Sequence, residues 1–244
     1  MPRFFIPSDQ ITEGELRITG DDAYHIARSL RMAVGDTLTV ADMHGGEYEC
    51  TLTRIRDDEC LLSPLSYRAS AAESAFPITL YMAYPKGDKL ETVIQKAVEL
   101  GASRIVPFVS SRCIKRPKAE KLDERTKRLC RIAEEAAKQC GRAALPTVSL
   151  PLDYPEMLRE AAKAELALFC YEGDGTRPIK EHLSSVNAPA SVSVVIGAEG
   201  GFSLDEVELA RDAGMLLCGL GPRILRCETA PSFALSAISY HFEM

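Results

Sequence analysis

The chain has 244 residues, with 46% hydrophobic and 26% charged side chains and a net charge of −6, a composition typical of a globular protein with an ample core. No apolar run approaches the roughly 18 residues that span a bilayer, and the first residues turn acidic too soon for a signal peptide. We therefore expect a cytoplasmic protein rather than a membrane or secreted one.

Residues 1–70 are predicted to be mostly β-structure. Polar and apolar side chains alternate over 36–42 and 46–55, on either side of a His-Gly-Gly turn, which is the signal of a β-hairpin. One predicted helix, over 22–32, interrupts the strands. The pattern favours a small β-barrel with an inserted helix, followed by a linker of small and polar residues at 71–77.

From residue 78 onward, predicted strands and helices alternate, which indicates a mainly parallel sheet. The predicted strands span 78–84, 104–109, 166–171, 192–196 and 215–220. The predicted helices span 90–100, 120–140, 154–163, 179–183, 203–214 and 231–240. The fold class is therefore α/β, with a small β-rich domain over 1–70 and a parallel-sheet domain over 78–244.

The predicted helix over 120–140 lies in the most basic part of the chain. Residues 86–142 contain 15 Lys and Arg against 8 Asp and Glu, whereas residues 1–70 contain 7 against 12. A basic segment in an acidic protein is a candidate contact for nucleic-acid phosphates. The charges fit a solvated helix face equally well, so both interpretations stay open at this point.

The eight cysteines give no sign of a metal or redox site. The closest pair, Cys218 and Cys227, is nine residues apart, and no Cys-x-x-Cys is present. Zinc sites and redox pairs usually show much tighter spacing. We expect reduced, mostly buried thiols and no bound metal.

Two glycine-containing loops come directly after predicted strands near the C-terminus: the first glycine loop, 197–203, and the second glycine loop, 220–229. Because the carboxyl ends of parallel strands share one edge of a sheet, we expect both loops to lie where open α/β sheets bind ligands. Neither loop has the spacing of a P-loop or of the dinucleotide fingerprint, and Glu199 would repel a phosphate. A cationic or zwitterionic ligand fits better.

Each loop also has a purely structural interpretation. The first can be a tight strand-to-helix turn with a capping glutamate. In the second, Arg223, Arg226 and Glu228 can form an ion-pair network, or Ile224 and Leu225 can form an apolar slot for a flat ring beside anion-binding cations. The loops alone leave these alternatives open.

The two loops together resemble the paired motifs of the RsmE family, whose members are SPOUT-class methyltransferases that modify N3 of a uridine in 16S rRNA. Further matches are spread along the chain: Arg3-Phe4-Phe5, His25-Ile26 to Leu30-Arg31, Lys86-Gly87-Asp88-Lys89, Glu99-Leu100-Gly101, Arg112 and 134–142. The chain departs from the family pattern at Ala198, usually proline, and at Cys227, usually threonine. Both are small changes in loops that act through their backbones.

The resemblance implies a PUA-like RNA-binding β-barrel over 1–70 and a SPOUT domain with a deep trefoil knot over 78–244. It also implies S-adenosylmethionine as methyl donor, a homodimer, and the assembled small ribosomal subunit with its 16S rRNA as substrate. The donor-binding residues expected from the motifs are Leu168, Phe169, Tyr171, Glu172, Ile196, Gly197, Glu199, Gly200, Gly201, Leu220, Gly221, Ile224, Leu225 and Ala230.

Methylation of uracil N3 requires loss of a proton whose pKa lies well above neutral, so a base or an anion-stabilising group must lie near the donor. We expect Arg112 or Arg226 to stabilise charge on a uracil carbonyl oxygen, with Glu199 or Glu228 as proton acceptor. Glu228 can equally be a structural ion-pair partner. The basic residues expected to contact rRNA are Arg3, Arg28, Arg31, Lys86, Lys115, Arg116, Lys118 and Arg125.

Other functions fit parts of the same pattern. A SPOUT methyltransferase could act on tRNA or on the large subunit, and an RNA-binding assembly factor could keep the fold without the reaction. A nicotinamide-dependent dehydrogenase fits worst, because the dinucleotide fingerprint is absent.

Overall fold

The computed structural model describes residues 1–12, 14–114, 116–117 and 119–244, and the chain divides into two compact units. The first unit comprises residues 1–73 and 137–145, and the second comprises 74–136 and 146–244. Residues 137–145, which the sequence-based boundaries place in the second domain, therefore group with the first unit.

The described part of the first unit contains a five-stranded sheet. Its strands are β1 (Arg3–Phe5), β2 (Leu16–Thr19), β3 (Thr37–Ala41), β4 (Gly46–Ile55) and β5 (Glu59–Ala69). The sheet order is β1-β3-β4-β5-β2, with β1 parallel to β3 and the other neighbours antiparallel. The predicted hairpin is confirmed, because β3 and β4 pair antiparallel on either side of the His-Gly-Gly turn.

The helix predicted over 22–32 is shorter and less regular than expected. Helix α1 (Asp21–Tyr24) continues directly into a π-helical turn, His25–Ser29. Arg31 then adopts a left-handed conformation with a φ of 52°, which ends a helix because an L-residue cannot repeat it. Ala23 and Ile26 still reach the core of this unit, so the widened turn keeps the apolar face that the periodicity predicted.

The described part of the second unit contains an eight-stranded sheet in which every pairing is parallel. Its strands are β6 (Ile78–Ala83), β7 (Arg104–Val109), β8 (Thr147–Val148), β9 (Leu152–Asp153), β10 (Leu166–Cys170), β11 (Arg177–Pro178), β12 (Val192–Ile196) and β13 (Leu216–Gly219). The order is β11-β13-β10-β12-β6-β7-β8, and β9 also pairs with β7. The predicted α/β class with a parallel sheet is confirmed.

The remaining helices alternate with these strands: α2 (Lys89–Glu99), α3 (Leu122–Cys140), α4 (Tyr154–Ala161), α5 (Ile179–Leu183), α6 (Leu204–Asp212) and α7 (Ala230–Phe242). Their bounds lie close to the predicted ones, because each helix has a clear stop or start signal in the sequence. Among the helices of the described ranges, none is long and apolar enough to cross a membrane.

A cluster of aromatic rings joins the first glycine loop to the core of the second unit. Phe202, a buried residue of that loop, lies 4.3 Å from Phe169 of β10, centroid to centroid. Its ring is also nearly parallel to that of Phe108, at 6.4 Å. The loop is therefore held by apolar packing at its end, while its glycines remain at the surface.

We predict that Phe202→Ala lowers the free energy of unfolding by about 3–5 kcal/mol, because it opens a cavity among packed rings. Chemical denaturation of the purified protein measures this change. Leu209→Ala, on the exposed side of α6, serves as the control and should stay within about 0.5 kcal/mol of the unaltered protein. Equal effects of the two substitutions would contradict the anchoring role of Phe202.

Candidate functional site

A cavity of about 400 Å³ opens at the carboxyl edge of the parallel sheet. Its walls are the segments directly after β10, β12 and β13, together with Lys89 at the start of α2, the helix after β6. These four strands run parallel and lie side by side in the order β13-β10-β12-β6, so their carboxyl ends converge. The volume is that of a site for a small organic ligand.

Most of the predicted donor-binding residues line this cavity: Tyr171, Glu172, Ile196, Gly197, Glu199, Gly201, Leu220, Gly221, Ile224, Leu225 and Ala230. Leu168, Phe169 and Gly200 do not belong to its wall. Leu168 and Phe169 are fully buried within β10, because a central parallel strand is covered on both faces and only its carboxyl end reaches the edge.

The cavity also has lining residues that were predicted neither as donor-binding nor as catalytic: Lys89, Cys170, Thr176, Ala198, Phe202, Gly219, Pro222, Arg223 and Cys227. Most of them are chain neighbours of predicted residues. Lys89 is different, because it precedes the first glycine loop by more than a hundred residues. It belongs to the Lys86-Gly87-Asp88-Lys89 motif, but only the position of β6 beside β12 brings it to the cavity.

A lysine and two glutamates form an ion-pair cluster at the cavity. The Lys89 Nζ lies 3.0 Å from Glu199 Oε1 and 3.2 Å from Glu228 Oε2. The backbone N–H of Lys86 donates a second hydrogen bond to Glu199, at 3.2 Å to Oε1. The cluster therefore joins the two glycine loops through one ammonium group.

The cluster shifts the titration of its members. Burial raises the pKa of the Glu199 carboxyl, but hydrogen bonds from its own N–H, from Lys89 and from the Lys86 N–H outweigh this effect and lower its pKa overall. The pKa of Glu228 is lowered by the same balance of opposing effects. Hydrogen bonds to both carboxylates raise the pKa of Lys89, and burial raises the pKa of the Cys227 thiol to about 12. At neutral pH the cluster holds two carboxylates, one ammonium and a neutral thiol.

The structure shows which glutamate caps the helix that follows the first glycine loop. The helix after it is capped by Ser203, whose side chain accepts from the Glu206 N–H while Glu206 accepts from the Ser203 N–H. The capping glutamate is thus Glu206 rather than Glu199. Glu206 is buried and also accepts from the Ser111 N–H at 2.7 Å, which attaches the segment after β7 to the first turn of α6.

Arg112 contacts the first glycine loop from outside the cavity. Its Nη1 donates to the Gly200 carbonyl oxygen at 3.1 Å. A Cβ at Gly200 would lie 3.1 Å from the Arg112 Cβ and 3.2 Å from its carbonyl oxygen, so a larger residue here would have to push Arg112 away by a few tenths of an ångström. Arg112 therefore contacts the loop that carries Glu199, although Arg112 does not line the cavity wall.

The second glycine loop does not form the arginine–glutamate network that one interpretation predicted. Glu228 pairs with Lys89, and neither Arg223 nor Arg226 makes an ion pair within the part of the chain that the structure describes. Both arginines are exposed at the cavity. Ile224 is 85% exposed, and Leu225 is half-buried beside it, which leaves an apolar surface open to a ligand.

The predicted RNA-contacting residues of the second unit differ in their environment. Lys86 and Arg116 are exposed. Arg125 lies with its guanidinium 5.4 Å from the centre of the Tyr84 ring and donates to the Gly87 carbonyl oxygen at 3.5 Å. Lys115 and Lys118 lie outside the described residues.

The predicted RNA-contacting residues of the first unit are partly engaged with carboxylates. Arg3 pairs with the buried Glu47 at 2.7 Å, and Arg28 forms two hydrogen bonds to Asp57 at 2.6 and 2.9 Å. Arg31 is exposed. Among the described residues of either unit, no group of three or more His, Cys, Asp or Glu is arranged to hold a metal ion.

Two family models match the chain. Residues 72–239 match a model described as an RNA methyltransferase domain, and residues 18–65 match one described as an RNA methyltransferase PUA domain. The chain belongs to the RNA methyltransferase family. The second match confirms the predicted PUA-like character of the N-terminal part.

Curated and solved relatives agree with this assignment. The chain is 36% identical to ribosomal RNA small subunit methyltransferase E of Bacillus subtilis, over 100% of this chain and 98% of the relative. It is 33% identical to the enzyme of the same name from Synechocystis, over 97% and 77%. A crystal structure of ribosomal RNA small subunit methyltransferase E from Neisseria gonorrhoeae, bound to S-adenosyl methionine, superimposes with a TM-score of 0.85 at 28% identity, over 99% and 98% of the two chains. The predicted resemblance to the RsmE family is confirmed.

We predict that Gly197→Ala lowers the free energy of unfolding by about 1–3 kcal/mol, because the new methyl group meets packed atoms. Its Cβ would lie 3.1 Å from the Phe202 ring and 3.2 Å from the Gly201 Cα. Gly219→Ala is the matched comparison, because its Cβ would meet mainly the Thr176 side chain, at 3.2 Å, which can rotate away. Denaturation curves should show the larger loss for Gly197→Ala, and the reverse order would contradict the close packing of the first glycine loop.

Proposed function

We propose that the chain transfers a methyl group from S-adenosylmethionine to N3 of a uridine in 16S rRNA, with the assembled small ribosomal subunit as substrate. The observation that carries this proposal is the cavity at the carboxyl edge of the parallel sheet, whose walls are the two glycine loops that resemble the RsmE motifs. The name and bound ligand of the Neisseria relative support it. A ribosomal substrate implies action in the cytoplasm.

The residues of the cavity fit S-adenosylmethionine, which supplies a methyl group attached to a cationic sulfonium. Gly201 and Gly221 have φ values of 61° and 105°, a conformation that favours glycine. Because glycine has no side chain, the backbone at these two positions is open to a ligand. Ile224 and Leu225 offer apolar contact for a ring. The Lys89 cluster has a net charge of −1, which suits a cationic group, and the exposed Arg223 suits a carboxylate.

The chemistry at the uridine needs a group that stabilises the anion left when N3 loses its proton. Arg226, exposed at the cavity, and Arg112, beside Gly200, are the proposed donors to the uracil carbonyl oxygens. Glu199 and Glu228 have lowered pKa values, so each accepts a proton less readily than an ordinary carboxylate. The cationic residues therefore carry the larger part of this proposal.

A homodimer and a deep trefoil knot in the second unit are further parts of the proposal, taken from the family resemblance. Helix α7 supports the dimer, because Phe233 and Tyr240 are exposed and lie two helical turns apart on one face. An exposed aromatic stripe of this kind is typical of a protein–protein contact.

We predict that the protein converts one uridine of small subunits that lack the modification into 3-methyluridine, and that Arg226→Ala slows this reaction by about 10²–10³-fold. Incorporation of labelled methyl groups gives the rate, and mass mapping of rRNA fragments gives the position. Arg159→Ala, an exposed residue of α4, is the control and should act at the unaltered rate.

The alternatives predict different products. Methylation of tRNA or of the large subunit, without reaction on the small subunit, would indicate another RNA substrate. Binding of S-adenosylmethionine without methylation of any RNA would favour a non-catalytic factor.

We also predict that the logarithm of the association constant for the small subunit falls linearly with the logarithm of the salt concentration. The reason is that binding of the protein releases cations from the rRNA phosphates. Arg116→Ala should reduce the slope by about 1. Arg177→Ala, whose side chain is paired with Glu181, should leave the slope unchanged. Filter-binding measurements over a range of salt concentrations test this, and an affinity independent of salt would contradict the phosphate contacts.

A further inference from the structure

The two glycine loops extend from strands that do not touch each other. Strand β10 lies between β12 and β13, so no ladder of backbone hydrogen bonds between β12 and β13 holds the two loops at a fixed distance. The first loop is anchored by Phe202 and Arg112. The second loop is exposed from Gly221 to Ile224, and the ion pairs of Lys89 connect it to the first loop.

Lys89 makes this connection. Its Nζ lies 3.0 Å from Glu199 in the first loop and 3.2 Å from Glu228 in the second. It also lies 3.9 Å from the Sγ of Cys227. Because Lys89 opens α2 directly after the β6 segment, its backbone is fixed by a regular helix, whereas both glutamates belong to loops.

We propose that Lys89 is a positioning residue that holds the carboxylates of Glu199 and Glu228 on one ammonium group and thereby fixes the two glycine loops on either side of the donor cavity. The inference rests on the proposed function for its last part, the binding of S-adenosylmethionine. The bridge itself is a property of the free protein.

The charges around Lys89 explain why a bridge is needed. Without its ammonium, the carboxylates of Glu199 and Glu228 would face each other, and like charges at such a distance either separate or share a proton. The other charged residues of the cavity are Glu172, Arg223 and Arg226, while Cys227 stays neutral because burial raises its pKa to about 12. The bridge keeps both carboxylates ionised and the net charge of the cluster at −1.

The test compares Lys89→Met, Lys89→Arg and a matched control, Lys96→Met. Lys96 lies on the same helix and pairs with Glu99 at 2.9 Å, away from the cavity. The carboxyl groups of Glu199 and Glu228 are titrated in the free protein by NMR of ¹³C-labelled glutamate and assigned with Glu199→Gln and Glu228→Gln. Calorimetry measures the affinity for S-adenosylmethionine between about pH 5.5 and 7.0, a range in which ordinary glutamates stay ionised and the α-amino group of the donor stays protonated.

In the unaltered protein both carboxyls should titrate below their ordinary range, so donor affinity should be constant over this range and fall only as the pH drops through the lowered pKa values. In Lys89→Met at least one carboxyl should titrate above the ordinary range. Donor affinity at pH 7.0 should fall about tenfold and should become dependent on pH, because a proton now enters the cluster within the measured range. Lys89→Arg should restore both properties, and Lys96→Met should change neither.

Unchanged carboxyl titrations in a folded Lys89→Met protein would overturn the bridge. If the carboxyl titrations change in Lys89→Met but donor affinity does not, the positioning role is overturned. The same holds if donor binding weakens in Lys89→Met without any change in the carboxyl titrations. If the unaltered protein binds no S-adenosylmethionine, the proposed function fails. The carboxyl titrations need no donor and still decide whether Lys89 forms the bridge.

Discussion

The cavity depends on one constraint, the parallel pairing of four neighbouring strands, β13, β10, β12 and β6. It brings four carboxyl ends to one edge of the sheet, so segments that are far apart in the chain meet around one cavity. Strands β10 and β12 are buried along their whole length, and this leaves the loops as the part of the sheet that can contact a ligand. The residues of the loop after each strand therefore set the chemistry of the cavity.

The two glycine loops are held by different means. Aromatic packing of Phe202 and the close approach of Arg112 to Gly200 anchor the first loop. The second loop is exposed from Gly221 to Ile224, and its Glu228 is attached through Lys89. The same ion pairs that hold this loop also lower the pKa of both glutamates. In the proposed reaction these two carboxylates are therefore poor acceptors of a proton, and the proposal gives the larger role to the arginines.

Much of the fold could be predicted because its signals are local. The helix predicted over 203–214 corresponds to α6, and apolar runs marked β10, β12 and β13 within a residue or two. The short strands β1, β2, β8, β9 and β11 were missed because a segment of two to four residues shows no periodicity. Strand β13, also of four residues, was found because it lies in a longer apolar run. The π-helical turn at His25–Ser29 was also missed, because a π-turn and an α-turn can share the same apolar face.

By itself the sequence determined the α/β class, the family, the two glycine loops and most of the residues that line the cavity, because these depend on local patterns and on motifs of consecutive residues. Only the tertiary structure decided which charged groups meet. Lys89 and Glu199 are placed together by the pairing of β6 with β12, and Glu228 reaches the same ammonium across β10. Which residues become neighbours across a sheet depends on strand order, and strand order is a property of the whole fold rather than of any one segment.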